Sequence, residues 1–311
     1  MPVSDQESSF VGSLLGLALG DTLGAPHEGG PLERALWRII GKTSDGRLRW
    51  TDDTQMALDV AESLIACCAI NQDDIARRFA ASYRWSRGYG PGAARILKLI
   101  RRGVDWRTAN TRVFRNGSFG NGGAMRAPVV GLFCCTNLEA VVAHAQATAL
   151  ITHAHPLGQD GAVLVALATA LACHNLPPAE VLDALLAHSQ HQPPLRERIV
   201  VAASWIARHS PSPDQVRVCL GNGISASESC VTAIYIALRF RDAPFMKMLE
   251  FVTACRGDVD TIGAMAGAIW GAHNGDASLP CDQFNLLEDH ERLRQVACEL
   301  HRVASRNDNS A

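Results

Sequence analysis

Lysine is almost missing from this chain of 311 residues, occurring only at 42, 98 and 247. The formal net charge is −2 and there is no basic block, which excludes the electrostatic footprint expected of a nucleic-acid or anionic-membrane binder. The cations present are nearly all Arg, a skew that bidentate anion contacts and codon bias explain equally well. No C-x-x-C occurs among the ten Cys. Most of these Cys lie in apolar helical runs, where Cys acts as a small hydrophobe. No signal-peptide pattern opens the chain, and the first apolar run, 10–19, is too short to span a bilayer. A reduced, cytoplasmic protein with no membrane partner is therefore expected. Neither a P-loop nor a G-x-G-x-x-G after a strand is present, which argues against Rossmann and kinase-like nucleotide sites.

Hydrophobic residues make up 47% of the chain and mean hydropathy is +0.02, enough apolar surface for a sizeable core. Helical periodicity dominates from 10–20 to 286–304, and only 47–50 reads as a brief strand. Pro31, Pro156 and Pro178 stand where first helical turns are expected, since a missing N–H costs nothing there. Gly12, Gly16 and Gly20, and again Gly263, Gly267 and Gly271, repeat at four-residue spacing. Each triplet makes a smooth stripe on one helix face and predicts close helix–helix approach in a packed core. No long linker divides the chain, so residues 1–311 read as one all-α domain, with frayed polar ends at 1–8 and 305–311. A monomer is the expectation.

Two acidic strings stand out, Thr51-Asp52-Asp53-Thr54 and Asp258-Val259-Asp260-Thr261. Each opens an alanine-rich helical pattern. Four carboxylates with hydroxyls beside them are oxygen ligands suited to Mg²⁺ or Mn²⁺, and two divalent ions would balance the four charges. The plain alternative is helix capping, for which Asp and Thr are favoured. Capping accounts for one carboxylate per helix but not for adjacent or alternating pairs. The fold would have to bring together strings that lie near opposite ends of the sequence.

Three glycine-rich turns lie between them, at 88–92, 117–123 and 221–223, each ahead of a helical stretch. Bare backbone at such places presents amides that can cradle phosphate oxygens, while ordinary turn and cap glycine is the competing account. Together with the acidic strings they favour a diphosphate or nucleotide ligand. In Thr152-His153-Ala154-His155-Pro156, the two His lack a further soft ligand at zinc spacing. A His beside a phosphate and a packing His fit this sequence equally well.

These motifs resemble the ADP-ribosylglycohydrolases, the group that includes the dinitrogenase-reductase-activating enzyme and the animal ADP-ribosylhydrolases. The matching pieces run in family order. They are Gly16-Leu17-Ala18-Leu19-Gly20-Asp21, Pro26-His27-Glu28, Trp50 to Ala57, Gly117 to Arg126, Thr152-His153, Gly221 to Ile224 with Glu228-Ser229 and 232–235, and 257–271. The Gly117 to Arg126 and Gly221 to Tyr235 stretches look most like the branch acting on O-linked ADP-ribose, whether serine-linked, polymeric or O-acetyl. The resemblance implies a compact orthogonal multi-helix fold around a central cleft holding two Mg²⁺, with Mn²⁺ as the alternative ion. It implies Thr51, Asp52, Asp53, Asp258, Asp260 and Thr261 as metal ligands, with Asp52 and Asp53 also counted among the catalytic residues.

Carried over in the same way, Glu28 matches a loop glutamate near the scissile bond, acting in proton traffic or as a gate. Asn116, Gly117, Ser118, Phe119, Gly120, Asn121 and Gly122 match a diphosphate loop, with Gly90 and Gly92 nearby, His153 near a phosphate and Ile224 against the adenine. Val259 replaces a commoner Thr and Phe119 a frequent Tyr, and Phe114 is a further adenine candidate. The implied partners are ADP-ribose and ADP-ribosylated proteins or metabolites, and the implied reaction is hydrolysis at C1″ of the distal ribose. Arginine-directed hydrolysis is the enzymatic alternative. A non-catalytic binding or structural homologue is another, and loss of metal ligands would mark it; all six are present.

Overall fold

The computed structural model describes residues 3–189, 192–208 and 210–308, without the side chains of 3–5, 33 and 308. The first third of the chain forms α1 (Val3–Gly24), α2 (Pro31–Ile40), α3 (Asp52–Cys67), α4 (Gln72–Ser82), α5 (Pro91–Arg101) and α6 (Trp106–Val113). The middle forms α7 (Ala127–Phe133), α8 (Leu138–Leu150), α9 (Pro156–Cys173), α10 (Pro178–His188), α11 (Pro193–Arg208) and α12 (Pro213–Cys219). The last third forms α13 (Ala226–Arg239), α14 (Phe245–Cys255), α15 (Val259–Asn274), α16 (Cys281–Phe284) and α17 (His290–Asp308). This is the all-α architecture expected.

The helix starts follow local chemistry. Asn71 and Asn137 accept from the third amide of α4 and α8, and Ser212 forms a reciprocal capping box with Gln215 at α12. Pro opens α5, α9 and α12, where a missing donor is harmless. The structure departs from expectation in four places. The segment 47–50 is not a strand: Leu48 makes only isolated bridges to Lys42 and Leu287. The stretch 121–133, whose periodicity predicts one continuous helix, is broken into a 3₁₀ turn at Asn121–Gly123 and then α7, because the glycines favour a tight turn. Helix α6 is not predicted by its sequence, which is polar and shows little apolar periodicity. The ends are also more regular than expected: α1 is helical from Val3, and Ser8 Oγ donates to Asp276 at 2.8 Å. Helix α17 runs to Asp308, while the remaining residues of both expected tails lie outside the described ones.

The glycine stripes meet. Helix α1 packs along α15 with Gly12, Gly16 and Gly20 facing Gly271, Gly267 and Gly263. A Cβ added at Gly16 would lie 2.3 Å from the Gly267 carbonyl oxygen, and one added at Gly267 would lie 2.2 Å from that of Gly16. The two backbones are therefore in direct contact. This pair brings the end of α1 beside the start of α15, and so carries the N-terminal motif to the C-terminal acidic string.

Around it, α9 passes through the core against α7, α8, α13 and α15. Helix α9 is long and apolar enough to cross a bilayer, yet 78% of it is buried inside the protein, as expected of a core helix. A polar clamp fixes the entry to α3. Glu288 Oε1 accepts from the buried Trp50 N at 2.8 Å and pairs with Arg87, which also donates to the Trp50 carbonyl at 2.8 Å.

Replacing Gly16 or Gly267 with Ala is expected to cost about 3 kcal/mol, the upper end for overpacking a tight core. Gly90, with no atom within 4 Å of an added Cβ and no positive φ, should tolerate Ala within about 0.5 kcal/mol. Urea denaturation of the three variants tests this, and equal stabilities would refute direct backbone contact.

Candidate metal centre and substrate cleft

The start of α3 distinguishes capping from coordination. Its exposed amide donors are already served by other groups. Thr51 Oγ1 accepts from Asp53 N at 3.2 Å. The carboxylate of Asp21, at the end of α1, accepts from Thr51 N at 3.0 and 3.1 Å, from Thr54 N at 3.1 Å and from Thr54 Oγ1 at 2.5 Å. The side chains of Asp52 and Asp53 are thereby left free of capping. Asp53 is only 2% exposed, and its Oδ2 has no hydrogen-bond partner. A buried carboxylate oxygen without a partner is costly unless a cation neutralises it.

The start of α15 repeats the arrangement. Asp258 occupies the N-cap position but makes no capping hydrogen bond with its side chain. It accepts instead from Asn121 Nδ2. Asp260 Oδ1 accepts from Thr261 N at 2.9 Å, and Thr261 Oγ1 donates to Asp53 Oδ1 at 3.3 Å, joining the two acidic strings directly. Glu28, reached through the 3₁₀ turn Ala25–His27, completes the group: carboxylate oxygens of Glu28, Asp258 and Asp260 lie within 4.8 Å of one another. All six expected metal ligands are thus gathered at two facing helix N-termini. Oxygen-only donors and a buried carboxylate oxygen without a partner fit hard divalent cations.

The electrostatics agree. Burial raises Asp52, Asp53 and Asp260 well above the usual carboxylate range, with repulsion from neighbouring acids adding to it. Burial likewise lifts Asp258 to about 6, and Asp21 to about 6 in spite of its four donors.

The acids face a cleft of about 320 Å³. Of the expected substrate contacts, Gly90, Gly92, Ser118, Gly120, Asn121, Gly122, His153 and Ile224 line it, as does Phe114. Asn116, Gly117 and Phe119 do not. Asn116 is exposed in the turn before the loop. Gly117 packs on the 154–155 backbone, where an added Cβ would meet His155 N at 2.2 Å. Phe119 is 56% exposed with its ring edge-on to His155. Three glycine turns do not all serve one ligand either. Asn222, between Gly221 and Gly223, accepts from Asp258 N at 2.9 Å and donates to the Cys255 carbonyl at 3.0 Å. That turn therefore props the acidic string, and only its neighbour Ile224 reaches the cleft.

Two residues that shape the site stand in the matching motifs with no role assigned to them there. Asp21 was recognised only as part of a motif; its signal was an acid directly after a glycine stripe. Arg126 is fully buried and donates to the Gly122 carbonyl at 2.6 Å, the Thr148 carbonyl at 2.9 Å and Thr152 Oγ1 at 2.9 Å. Because Arg can only donate, Thr152 Oγ1 accepts from it and turns its own hydrogen to His153 Nδ1, 2.8 Å away. Burial, with Arg126 nearby, lowers His153 to about 3 and keeps it neutral. Its proton then sits on Nε2, which faces Gly120 and Gly122 as a donor.

The sequence matches the family model described as ADP-ribosylglycohydrolase over residues 2–310. It is 33% identical to ADP-ribosylhydrolase ARH3 of Bos taurus, across 95% of this chain and 93% of that protein. The Homo sapiens protein of the same name is 32% identical, with 95% and 93% covered. A solved structure titled ADP-ribosylglycohydrolase-related protein complex superposes with a TM-score of 0.70 at 25% identity, covering 97% of this chain and 99% of the other.

A carboxyl raised above its unfolded value binds more protons in the folded chain, so stability falls as pH rises. Between pH 8 and 6.5 the raised acids dominate, because His153 opposes them only below about 6.5. The rise in thermal midpoint on adding excess Mg²⁺ to chelator-treated protein should therefore be larger at pH 8 than at pH 6. A rise independent of pH would show that the acids do not share a cation.

Proposed function

The chain belongs to the ADP-ribosylglycohydrolase family, and on that premise we propose that it hydrolyses the C1″ bond of O-linked ADP-ribose and releases free ADP-ribose. Membership makes it a hydrolase of glycosidic bonds. The O-linked preference rests on the 117–126 and 221–235 stretches and is the finer part of the proposal, as is a cytoplasmic setting. The observation that carries the reading is the meeting of Asp52, Asp53, Asp258 and Asp260 beside Glu28, with Asp53 Oδ2 unpartnered in the interior.

Thr51, Asp52, Asp53, Asp258, Asp260 and Thr261 would hold two Mg²⁺, or Mn²⁺ in their place. When bound, the ions supply neutralising charge and Lewis-acid polarisation at the distal ribose. The protein's own groups do the rest. Ser118, Gly120 and Gly122, with the Nε2–H of His153, offer donors and open backbone to a diphosphate. Ile224 and Phe114 present apolar surface to a base. Asn121 orients Asp258 as well as lining the cleft. Glu28 stands where it can pass a proton between water and the departing oxygen, the task of an acid–base carboxylate in glycoside hydrolysis. Lining the cleft from the loop that follows Ala25–His27, it is also the residue that would act as a gate.

Asp53→Ala or Asp260→Ala should lower kcat by roughly 1,000-fold or more, the scale of losing metal-assisted charge stabilisation. Glu28→Gln should lower kcat by about 100-fold, the scale of general acid–base catalysis, while changing KM little. Near-native turnover by Asp260→Ala in saturating Mg²⁺ would sink the two-metal reading. Release of ADP-ribose from a serine-ADP-ribosylated peptide, lost in EDTA, is the expected result for linkage. Release from an arginine-ADP-ribosylated protein alone would assign the chain to arginine-directed hydrolysis.

A further inference from the structure

The small net charge of the chain conceals an uneven distribution. Residues 91–115, which form α5, α6 and the turn between them, hold six Arg and Lys98 against a single acid, Asp105. That stretch carries a net charge of +6, so the remainder of the chain carries −8. The inner face of this hairpin is apolar: Ile96 and Leu97 of α5 and Trp106 and Ala109 of α6 are buried, and the two helices pack together. All seven cations are left exposed. Arg95, Lys98 and Arg102 stand on successive turns of one face of α5.

Little on the protein neutralises them. Among the described residues, the only ion pairs on the hairpin are those of Arg107, with Asp105 and with Asp73 of α4. Asp105 also caps α6, accepting from Arg107 N at 2.9 Å, and Asp73 accepts from Trp106 Nε1 at 2.7 Å. Both acids are thus engaged in fixing the hairpin itself. The helix dipole accounts for Lys98 and Arg101 in the last turn of α5 and for Arg112 in that of α6. It does not account for Arg95, in the middle of α5, or for Arg115, beyond the end of α6.

Those two stand at the cleft. Gly90, Pro91, Gly92 and Ala93 line it where α5 begins, and Phe114 lines it just past α6. The two ends touch, since a Cβ added at Gly92 would meet Phe114 Cζ at 2.2 Å. Gly88 lines the same cleft three residues before α5, and a Cβ there would lie 3.8 Å from Asp52 Oδ1. The open end of the hairpin is therefore part of the cleft wall, and α5 carries its cations outward from there. Its 11 residues make a track of about 16 Å, the length of about five extended residues.

A surface of this length and sign fits an acidic stretch of polypeptide, whose carboxylates match the fork of a guanidinium. A single-stranded nucleic acid would need aromatic faces to stack on. The hairpin's two aromatics are turned inward, Trp106 into the core and Phe114 into the cleft. A duplex needs a basic surface wider than one hairpin, and the rest of the chain is net acidic. We propose that the outer face of α5 and α6 is a docking surface for acidic stretches of ADP-ribosylated proteins. Seating such a stretch there raises the local concentration of the modified side chain at the cleft, without the acidic residues having to enter it. This inference rests on the hydrolase reading above.

The test uses two serine-ADP-ribosylated peptides that differ only in a run of about five residues, all Glu in one and all Gln in the other. A flexible Gly-Ser spacer joins the run to the modified serine. Wild type should favour the Glu peptide about fivefold in kcat/KM, through KM, as expected for a few exposed ion pairs. Raising ionic strength should erase the preference. The preference should also vanish in the double variant Arg95→Gln, Arg102→Gln, whose thermal midpoint should match wild type because both positions are exposed. Equal kcat/KM for the two peptides in wild type, or a preference kept by the variant, overturns the docking surface. So does tighter capture of an oligonucleotide than of a glutamate peptide of equal charge while ADP-ribose saturates the cleft, which would mark a surface for phosphate polymers. If wild type hydrolyses neither peptide, the hydrolase reading fails on its own. Fluorescence polarisation of a labelled oligoglutamate, with ADP-ribose present, then decides the docking surface. Binding that weakens about fivefold in the variant supports it, and no binding, or equal binding by both proteins, overturns it.

Discussion

Backbone contact between α1 and α15 is the constraint on which the site depends. Glycine facing glycine at 12 and 271, 16 and 267, and 20 and 263 lets carbonyl oxygens of one helix occupy the space where the other helix would carry a Cβ. Such an approach is intolerant of substitution, and it sets the axial register of the two helices. That register places Asp21 under the first turn of α3 and directs the start of α15 toward the same point. Three chain segments remote in sequence are thus brought within a hydrogen bond of one another.

The same geometry creates an electrostatic problem. Asp21, Glu28, Asp52, Asp53, Asp258 and Asp260 crowd a mostly buried volume, and burial raises five of them. The fold offsets part of this with the positive ends of α3 and α15 and with four hydrogen bonds to Asp21. It leaves Asp53 Oδ2 with none. Asp21 takes over the capping that Asp52 and Asp53 would otherwise perform, and that substitution leaves their oxygens available for ions. The acids at the helix start and the acid that satisfies the helix start are different residues.

Much of this was legible in the sequence where a local rule operates. Helix starts marked by Pro, the paired acids and the glycine spacing all have direct structural counterparts. The readings that failed depended on partners distant in sequence. Helix α6 is polar because its surroundings, not its own period, hold it in place. The turn at 221–223 resembles a phosphate cradle until its role as a prop for Asp258 is visible. Asn116, Gly117 and Phe119 belong to the matching motif but stand outside the cleft, since a loop can donate only some of its residues to a wall. The tautomer of His153 depends on Arg126 through Thr152, a relay that no spacing rule encodes.

Chain order adds a consequence. The ribosome releases α1 and the first acidic string long before α15, so the glycine face of α1 emerges without the surface it is shaped to fit. Domains generally mature as units during synthesis, and here the pairing that defines the core joins nearly the first helix to nearly the last. A nascent chain that ends before residue 258 contains Asp21, Asp52 and Asp53 but neither their opposing ligands nor the backbone groove that aligns them. The acidic centre is consequently absent from any nascent chain that ends before residue 258, and its assembly waits for the emergence of α15.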